Sequence, residues 1–298
     1  MGVISRNAVN DLQSSGVRSM AQAPSSGIQF GSEVYTWFMK ESGRANADRL
    51  DHMIDVIARA GFAGVQPIFS WMGDLSDPRR LADSLASHGN LSLSAMSFVL
   101  DWNHEGETDD ELREAESVMG FLGHFPGALL CVVQMPRGRF DLEVRRKRLV
   151  GNLNALARRA ADRGIVTSFH PNSPETSIAR TREDYEVLLN GLDSKVIGWT
   201  PDVGHIINGG MDPLATMKQY RSLINHVHYK DWDGDPEFAV MGEGKVDFAG
   251  VTTWLRDTGF KGWIVCEDEG HRAVDDPDGV TLQDGAWVKA HLEPLAKG

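Results

Sequence analysis

Seven short stretches of this 298-residue chain place polar or ionisable side chains at the end of an apolar run. They are Gln66 with Trp71, then Asp101-Trp102-Asn103-His104, then Gln134, then His170-Pro171-Asn172 with Glu175 close behind. Asp202-Val203-Gly204-His205, His226-Val227-His228-Tyr229-Lys230-Asp231 and Glu267-Asp268-Glu269 follow. The last four stretches each supply a nitrogen or oxygen ligand type. Brought to one place, they would repel or stay unpaired unless a cation joined them. A mixed nitrogen and oxygen set suits Mn²⁺, Zn²⁺, Fe²⁺, Co²⁺ or, less well, Mg²⁺. Each stretch alone also has a plainer reading. A single His can be a hydrogen-bonded structural residue, the acidic run a solvated edge, and an Asp before a helix an N-cap, as expected for Asp141 and Asp212. Trp37, Trp71, Trp102 and Trp232 lie at or just past strand ends, where a ring can pack on the C–H face of a sugar or simply on its neighbours. Nucleophilic catalysis has little support. The sequence lacks a G-x-S-x-G elbow, and Cys131 and Cys266 both lie inside apolar runs.

These stretches need elements to position them. From residue 27 onward, short apolar or β-branched runs alternate with segments of helical period. The runs at 27–38, 63–71, 91–102, 129–136, 165–172, 196–206, 224–233 and 262–270 precede helical segments at 47–61, 77–89, about 107–123, 141–164, 181–192, 212–222, 246–259 and 281–295. The runs are continuous rather than alternating, as parallel strands covered on the outside should be. Eight such units predict a single (β/α)₈ barrel over residues 27–298, with every chemical stretch at the C-terminal rim. An open doubly wound sheet would call for a Gly-rich phosphate loop after the first strand, and none is there.

Composition narrows the function. A formal charge of −12 argues against a nucleic-acid partner, which needs clustered Lys and Arg. Two cysteines make no disulfide framework, so a reducing, cytoplasmic setting is expected. No apolar stretch reaches the roughly 18–20 residues that span a bilayer. Residues 1–26 are polar and rich in small side chains, without the apolar centre of a secretory signal, and predict a short, loosely attached extension.

The segments HPNSPET, GWTPDVGHIINGGMDP, INHVHYKDW, MGEGKVDF and GWIVCEDE together resemble the xylose-isomerase-like barrel superfamily. That superfamily holds sugar isomerases, 3-epimerases, inosose dehydratases and endonuclease-IV-like proteins. The resemblance is strongest over about residues 165–270 and weaker over 27–164. It implies one divalent metal ion, Mn²⁺ first, held by Asp202, His228 and Glu267, with His170 in the fourth position. His205 and Lys230 match residues that face the substrate, and Glu243 and Lys245 of the GEG loop match rim residues.

His170 departs from the epimerase branch, which has a Glu there and shuttles a proton between two metal-bound carboxylates. The departure shifts the expectation toward inosose-dehydratase-like enzymes, which eliminate a group β to a ketone. The lyase-type subunit of C-glycoside deglycosidases, acting on 3-keto glycosides, is a second relative of this kind. The shared step is removal of a proton beside a metal-polarised carbonyl, ending in isomerisation, epimerisation or β-elimination. Base and acid are sought among His170, His205, Lys230 and Glu267, with His170 either ligand or base. Substrate contacts are expected from Trp37, Gln66, Trp102, Gln134, Asn172 and Glu243. The expected partner is a sugar or polyol without a phosphate, and self-association or a second subunit stays open. A non-catalytic sugar-binding barrel is the reading from another class, and a DNA-repair nuclease would need further His ligands from the second and third strands.

Overall fold

The computed structural model describes residues 27–40, 48–234 and 237–298. The extension expected over residues 1–26 lies outside the described residues. The apolar runs form parallel strands β1 (Ile28–Glu33), β2 (Gly64–Gln66), β3 (Ser92–Leu93), β4 (Ala95–Leu100), β5 (Leu129–Gln134), β6 (Thr167–His170), β7 (Ile197–Trp199), β8 (Val227–Tyr229) and β11 (Gly262–Cys266). β3 and β4, separated only by Ser94, share the third of eight positions around a barrel. Backbone pairing runs β3-β2-β1-β11-β8 on one side and β4-β5-β6-β7 on the other. Parallel bridges Ile68–Ser97, Trp199–Ile224 and Asp202–His228 close the two seams. The result is a (β/α)₈ barrel. One hairpin, β9 (Asp231–Gly234) with β10 (Glu237–Ala239), is antiparallel and stands beyond the seventh barrel strand.

The helices form where the periodicity predicts them. Leu50–Ala60 buries Leu50, Met53, Ile54, Val56, Ile57 and Ala60, a stripe of helical spacing, and stops at Gly61, whose φ of 89° few other residues tolerate. Capping boxes at Thr108/Glu111 and Thr181/Asp184 start two further helices. Asp212 caps its helix as expected, accepting from the Ala215 amide at 2.6 Å. Asp141 does not. It precedes Leu142–Ala161 with φ at 47°, and its side chain makes no capping bond.

Below the rim the barrel is filled by side chains. Alternation puts Trp263, Val265 and Glu267 on one face of the last strand, so Trp263 packs toward the floor while Glu267 reaches the rim. Gly64 makes this packing possible, because a Cβ there would lie 2.7 Å from the Trp263 ring. Above it, Ser168 and Thr200 hydrogen-bond at 2.6 Å, a polar layer beneath the rim. Among the described residues no helix is long and apolar enough to cross a membrane.

Candidate metal centre and catalytic cavity

Four strand ends deliver one side chain each to a single point. His170 ends β6, Asp202 follows β7, His228 lies in β8 and Glu267 follows β11. All four are buried, and one ligand atom from each lies within 4.8 Å of the others. Local structure aims them. Asp202 caps the short helix Val203–Asn208 through Oδ1, which accepts from the His205 amide at 2.9 Å, and this leaves Oδ2 pointing inward. His170 Nε2 stands 3.5 Å from that oxygen.

His226, just before β8, and His228 within it point the same way by the two-residue period, and both meet Gln66. The Gln66 amide donates to Ser97 Oγ at 2.8 Å, so its Oε1 is the acceptor for His226 Nε2 at 2.7 Å and His228 Nε2 at 3.2 Å. His228 therefore carries its proton on Nε2 and presents a bare Nδ1, 3.4 Å from both Glu33 and Glu267 carboxylates. Metal-ligating histidines usually donate their second ring N–H to an oxygen acceptor, which fixes the tautomer in this way.

The donor set fits a divalent cation on an observation internal to this chain. Both ring nitrogens of His170, Oδ2 of Asp202 and Nδ1 of His228 are buried without a hydrogen-bond partner. Leaving such atoms unsatisfied costs about 1–3 kcal/mol each, and a cation at their common focus would satisfy several together.

A cationic side chain organises the surrounding acids. Lys230 is fully buried, and its ammonium donates to Glu269 and, at 3.1 Å, to His205 Nε2. It also lies 3.4 Å from Asp202 Oδ2 and from Glu267 Oε1. Burial opposes its charge, but Asp202, Glu267 and Glu269 outweigh burial and hold the amine well above its ordinary value. Burial likewise works against the Asp202 carboxylate, yet Lys230, His205 and His170 hold it well below its ordinary range. His205 is pushed down to about 3 by burial and by Lys230, and stays neutral. Its Nε2 accepts from Lys230, so Nδ1 donates to Ser173 Oγ at 2.8 Å.

Glu33, at the end of β1, went unrecognised in the sequence. Its carboxyl accepts from Ser97 Oγ and adjoins Glu267, and burial together with the Glu267 charge pushes it well above its ordinary value. The carboxyls of Glu33 and Glu267, from the first and last barrel strands, thus stand side by side, and the Glu33 carboxyl is the one held protonated. The signal was available, because Glu33 interrupts the first apolar run just as the other site residues interrupt theirs. Glu269, named in the acidic run without a role of its own, is a further site residue. It lines the cavity beside Glu267, raised chiefly by burial.

A cavity of about 310 Å³ opens above this cluster, lined by Glu33, His170, His205, His228, Glu267 and Glu269 on its polar side. Gln134 and Asn172 line it too. Their amide groups donate to backbone carbonyls, which leaves Gln134 Oε1 and Asn172 Oδ1 buried without a hydrogen-bond partner.

The other expected substrate contacts fall elsewhere. Gln66 lies under the cavity with its amide engaged by Ser97, His226 and His228. Trp37 is fully buried and donates to Asp278 at 2.7 Å, turned toward the outer helices. Trp102 takes φ of 55°, which sends its ring into the core against Phe98. Glu243 is exposed, bound to Arg272 and Gln283 at 2.8 Å each. Lys230 stands behind the cavity wall with its N–H groups occupied by the acids and His205.

The GEG loop has a structural explanation. Asp231 accepts from the amides of Gly242, Gly244 and Trp232 at 2.8–2.9 Å, folding the loop around its carboxylate. Farther round the rim, Arg139 and Arg146 clamp buried Asp184 and tie the loop after β5 to helix Arg182–Gly191.

A sequence model described as xylose isomerase-like TIM barrel matches residues 54–291. An inosose dehydratase of Clostridium beijerinckii is 27% identical over 286 residues, covering 84% of this chain and 92% of the relative. A solved structure of the IolI protein with a bound zinc atom superposes with a TM-score of 0.72 at 15% identity, covering 90% of this chain and 99% of that one. The apo form of a 3-keto-D-glucoside 4-epimerase from E. coli gives 0.66 at 17% identity, over 88% and 99% of the two chains. With most of the barrel matched and its rim built as described, the chain belongs to the xylose isomerase-like TIM barrel family.

Proposed function

We propose that this protein is a divalent-metal-dependent lyase or isomerase of keto-sugars or cyclitols, with β-elimination of water the favoured outcome. The observation that carries the reading is the convergence of His170, Asp202, His228 and Glu267, the first three with unpartnered buried atoms, on the floor of a ligand-sized cavity. Those four residues would hold the ion; the mixed donor set suits Mn²⁺, Zn²⁺, Co²⁺, Fe²⁺ or, less well, Mg²⁺, and the family resemblance puts Mn²⁺ first. When bound, the cation is a Lewis acid that stabilises negative charge developing on a substrate oxygen.

The chain's own groups move the protons. Glu267 takes the proton from the carbon beside the ketone. The electron pair of that C–H bond becomes the new C=C bond as the β C–O bond breaks. Glu33, held protonated by burial and by Glu267, gives its proton to the departing hydroxyl, which leaves as water. Reprotonation of the same carbon from its other face would give epimerisation instead, and protonation of the former carbonyl carbon would give isomerisation. A carboxyl pair from the first and last strands thus stands in for the pair lost where His170 replaces a glutamate. Gln134 and Asn172 orient the substrate hydroxyls. Similarity to an inosose dehydratase supports the dehydration outcome.

The test is metal content of the purified protein beside an Asp202→Ala/His228→Ala double variant, followed by proton exchange of inososes in D₂O by NMR. About one ion per chain, lost in the variant, with exchange beside the ketone, is the expected result. A protein that takes up no metal under any reconstitution would be a sugar-binding barrel and refute the reading.

A further inference from the structure

Among the described residues, the ionisable side chains of the cavity that are free to move a proton stand on one wall. Glu33 ends β1 and Glu267 follows β11, and these two strands are hydrogen-bonded neighbours. Their register pairs Ser32 with Cys266, so the next residues, Glu33 and Glu267, come level on strands about 4.8 Å apart. Both carboxyls turn inward, each 3.4 Å from His228 Nδ1. Tyr35 and Glu269, each two residues farther along, line the cavity from the same two strand ends.

The facing wall offers no such group. β6 lies four strands from β1 in either direction around the barrel, and so directly across from it. Its His170 would hold the ion. His205, from the next strand end, has both ring nitrogens occupied, Nε2 by Lys230 and Nδ1 by Ser173. Gln134 and Asn172 carry amides, which neither take nor give protons, and Val99 and Val133 are apolar. A polyol ketone in this cavity therefore turns one face to the carboxyls and the other to a wall without acid or base.

We infer that Glu33 and Glu267 make the reaction one-sided, so that the α-hydrogen and the β-hydroxyl leave from the same face of the substrate. This rests on the lyase reading above and narrows it. The C–H electron pair becomes the C=C bond and the C–O pair leaves with the hydroxyl. One proton passes to Glu267 while another leaves Glu33 to complete the water. Which carboxyl gives and which takes does not alter the stereochemistry, because both stand on one side. The substrate class is a cyclic polyhydroxy ketone whose α-hydrogen and β-hydroxyl are cis, as in an all-equatorial inosose. Epimerisation of the α carbon is excluded, because its far face meets His170 where a second base would be needed.

The experiment compares two inososes with the Mn²⁺-loaded full chain in D₂O by proton NMR, with bound metal measured on the same samples. One has every hydroxyl equatorial, which sets each α-hydrogen cis to the neighbouring β-hydroxyl. The other is inverted at both β carbons, which sets the same groups trans and antiparallel. That alignment suits elimination in the absence of an enzyme, so its rejection cannot come from poor orbital overlap. The first ketone should lose water. The second should exchange its α-hydrogens with retained configuration and dehydrate at least about 100-fold more slowly, the share of rate that a positioned acid supplies. Neither should yield an α-epimer above a protein-free control. Glu33→Gln should still exchange the α-hydrogens of the first ketone while losing its dehydration. Similar dehydration of both ketones, or an α-epimer made by the protein, overturns the inference and leaves the lyase reading standing. No exchange or water loss from either ketone in metal-loaded protein removes the lyase reading and this inference together.

Discussion

Replacing Glu33 by glutamine separates the proton-moving role of this carboxyl from any part in holding the structure. The exchange keeps every heavy-atom position. The new amide oxygen still accepts from Ser97 and Gln66, as Oε1 of Glu33 does, and the amide nitrogen meets His228 and Glu267, both of which can accept. Because Glu33 is already held protonated by burial and by Glu267, its loss removes no native charge at neutral pH, and stability should change by less than about 1 kcal/mol. The pH dependence should change more. A carboxyl whose folded pKa lies above its unfolded value binds more protons when folded, so its contribution to stability falls as pH rises from about 4.5 to the folded value. In that window the metal-free wild type should lose stability at up to about 1.4 kcal/mol per pH unit, and the variant should not. Catalysis should fall about 10²–10⁴-fold, roughly 2.7–5.4 kcal/mol of barrier, as expected on removing a positioned general acid. The assay is urea denaturation from pH 4 to 9, kcat for inosose dehydration, and bound metal. Activity within threefold of wild type would refute the assignment of Glu33 as proton donor. Metal lost together with activity would make it a ligand instead.

Further outcomes follow from the same geometry. Trp37→Phe should lower stability by about 1–3 kcal/mol, through the lost bond to Asp278 and the smaller ring, while KM stays unchanged; a raised KM with unchanged stability would return this residue to the substrate site. Gly244→Ala places a Cβ 2.3 Å from Asp231 Oδ1, so the GEG loop must give way, with a lower Tm and faster amide exchange at Gly242 and Gly244. An unaltered Tm and exchange pattern would show that Asp231 does not hold the loop. His205, pushed down to about 3 by burial and Lys230, makes folding less favourable as pH falls from about 6.5 toward 3, because the unfolded chain takes up the proton first. His205→Asn should flatten that part of the acid limb in denaturation curves, and an unchanged slope would mean His205 titrates normally.

Most of the barrel is legible in the chain itself. Apolar runs followed by helical periods determine eight strand–helix units, and a polar residue ending a run lies at the rim because parallel strands all point one way. That rule alone locates His170, Asp202, His228 and Glu267. Applied to the first run, it would have located Glu33 too. What the chain cannot specify is the direction in which a rim side chain turns. Trp37, Trp71 and Trp102 all follow strand ends, yet only Trp71 lines the cavity, because Trp102 takes a left-handed backbone conformation and Trp37 is drawn to Asp278, 241 positions away. Gln66 and Gln134 also end strands, and one serves the histidines while the other lines the cavity. Strand alternation places each side chain inside or outside, but only the closed barrel decides its height and neighbours. Seams such as the Asp202–His228 bridge set that register, and they form between segments whose pairing no local sequence encodes.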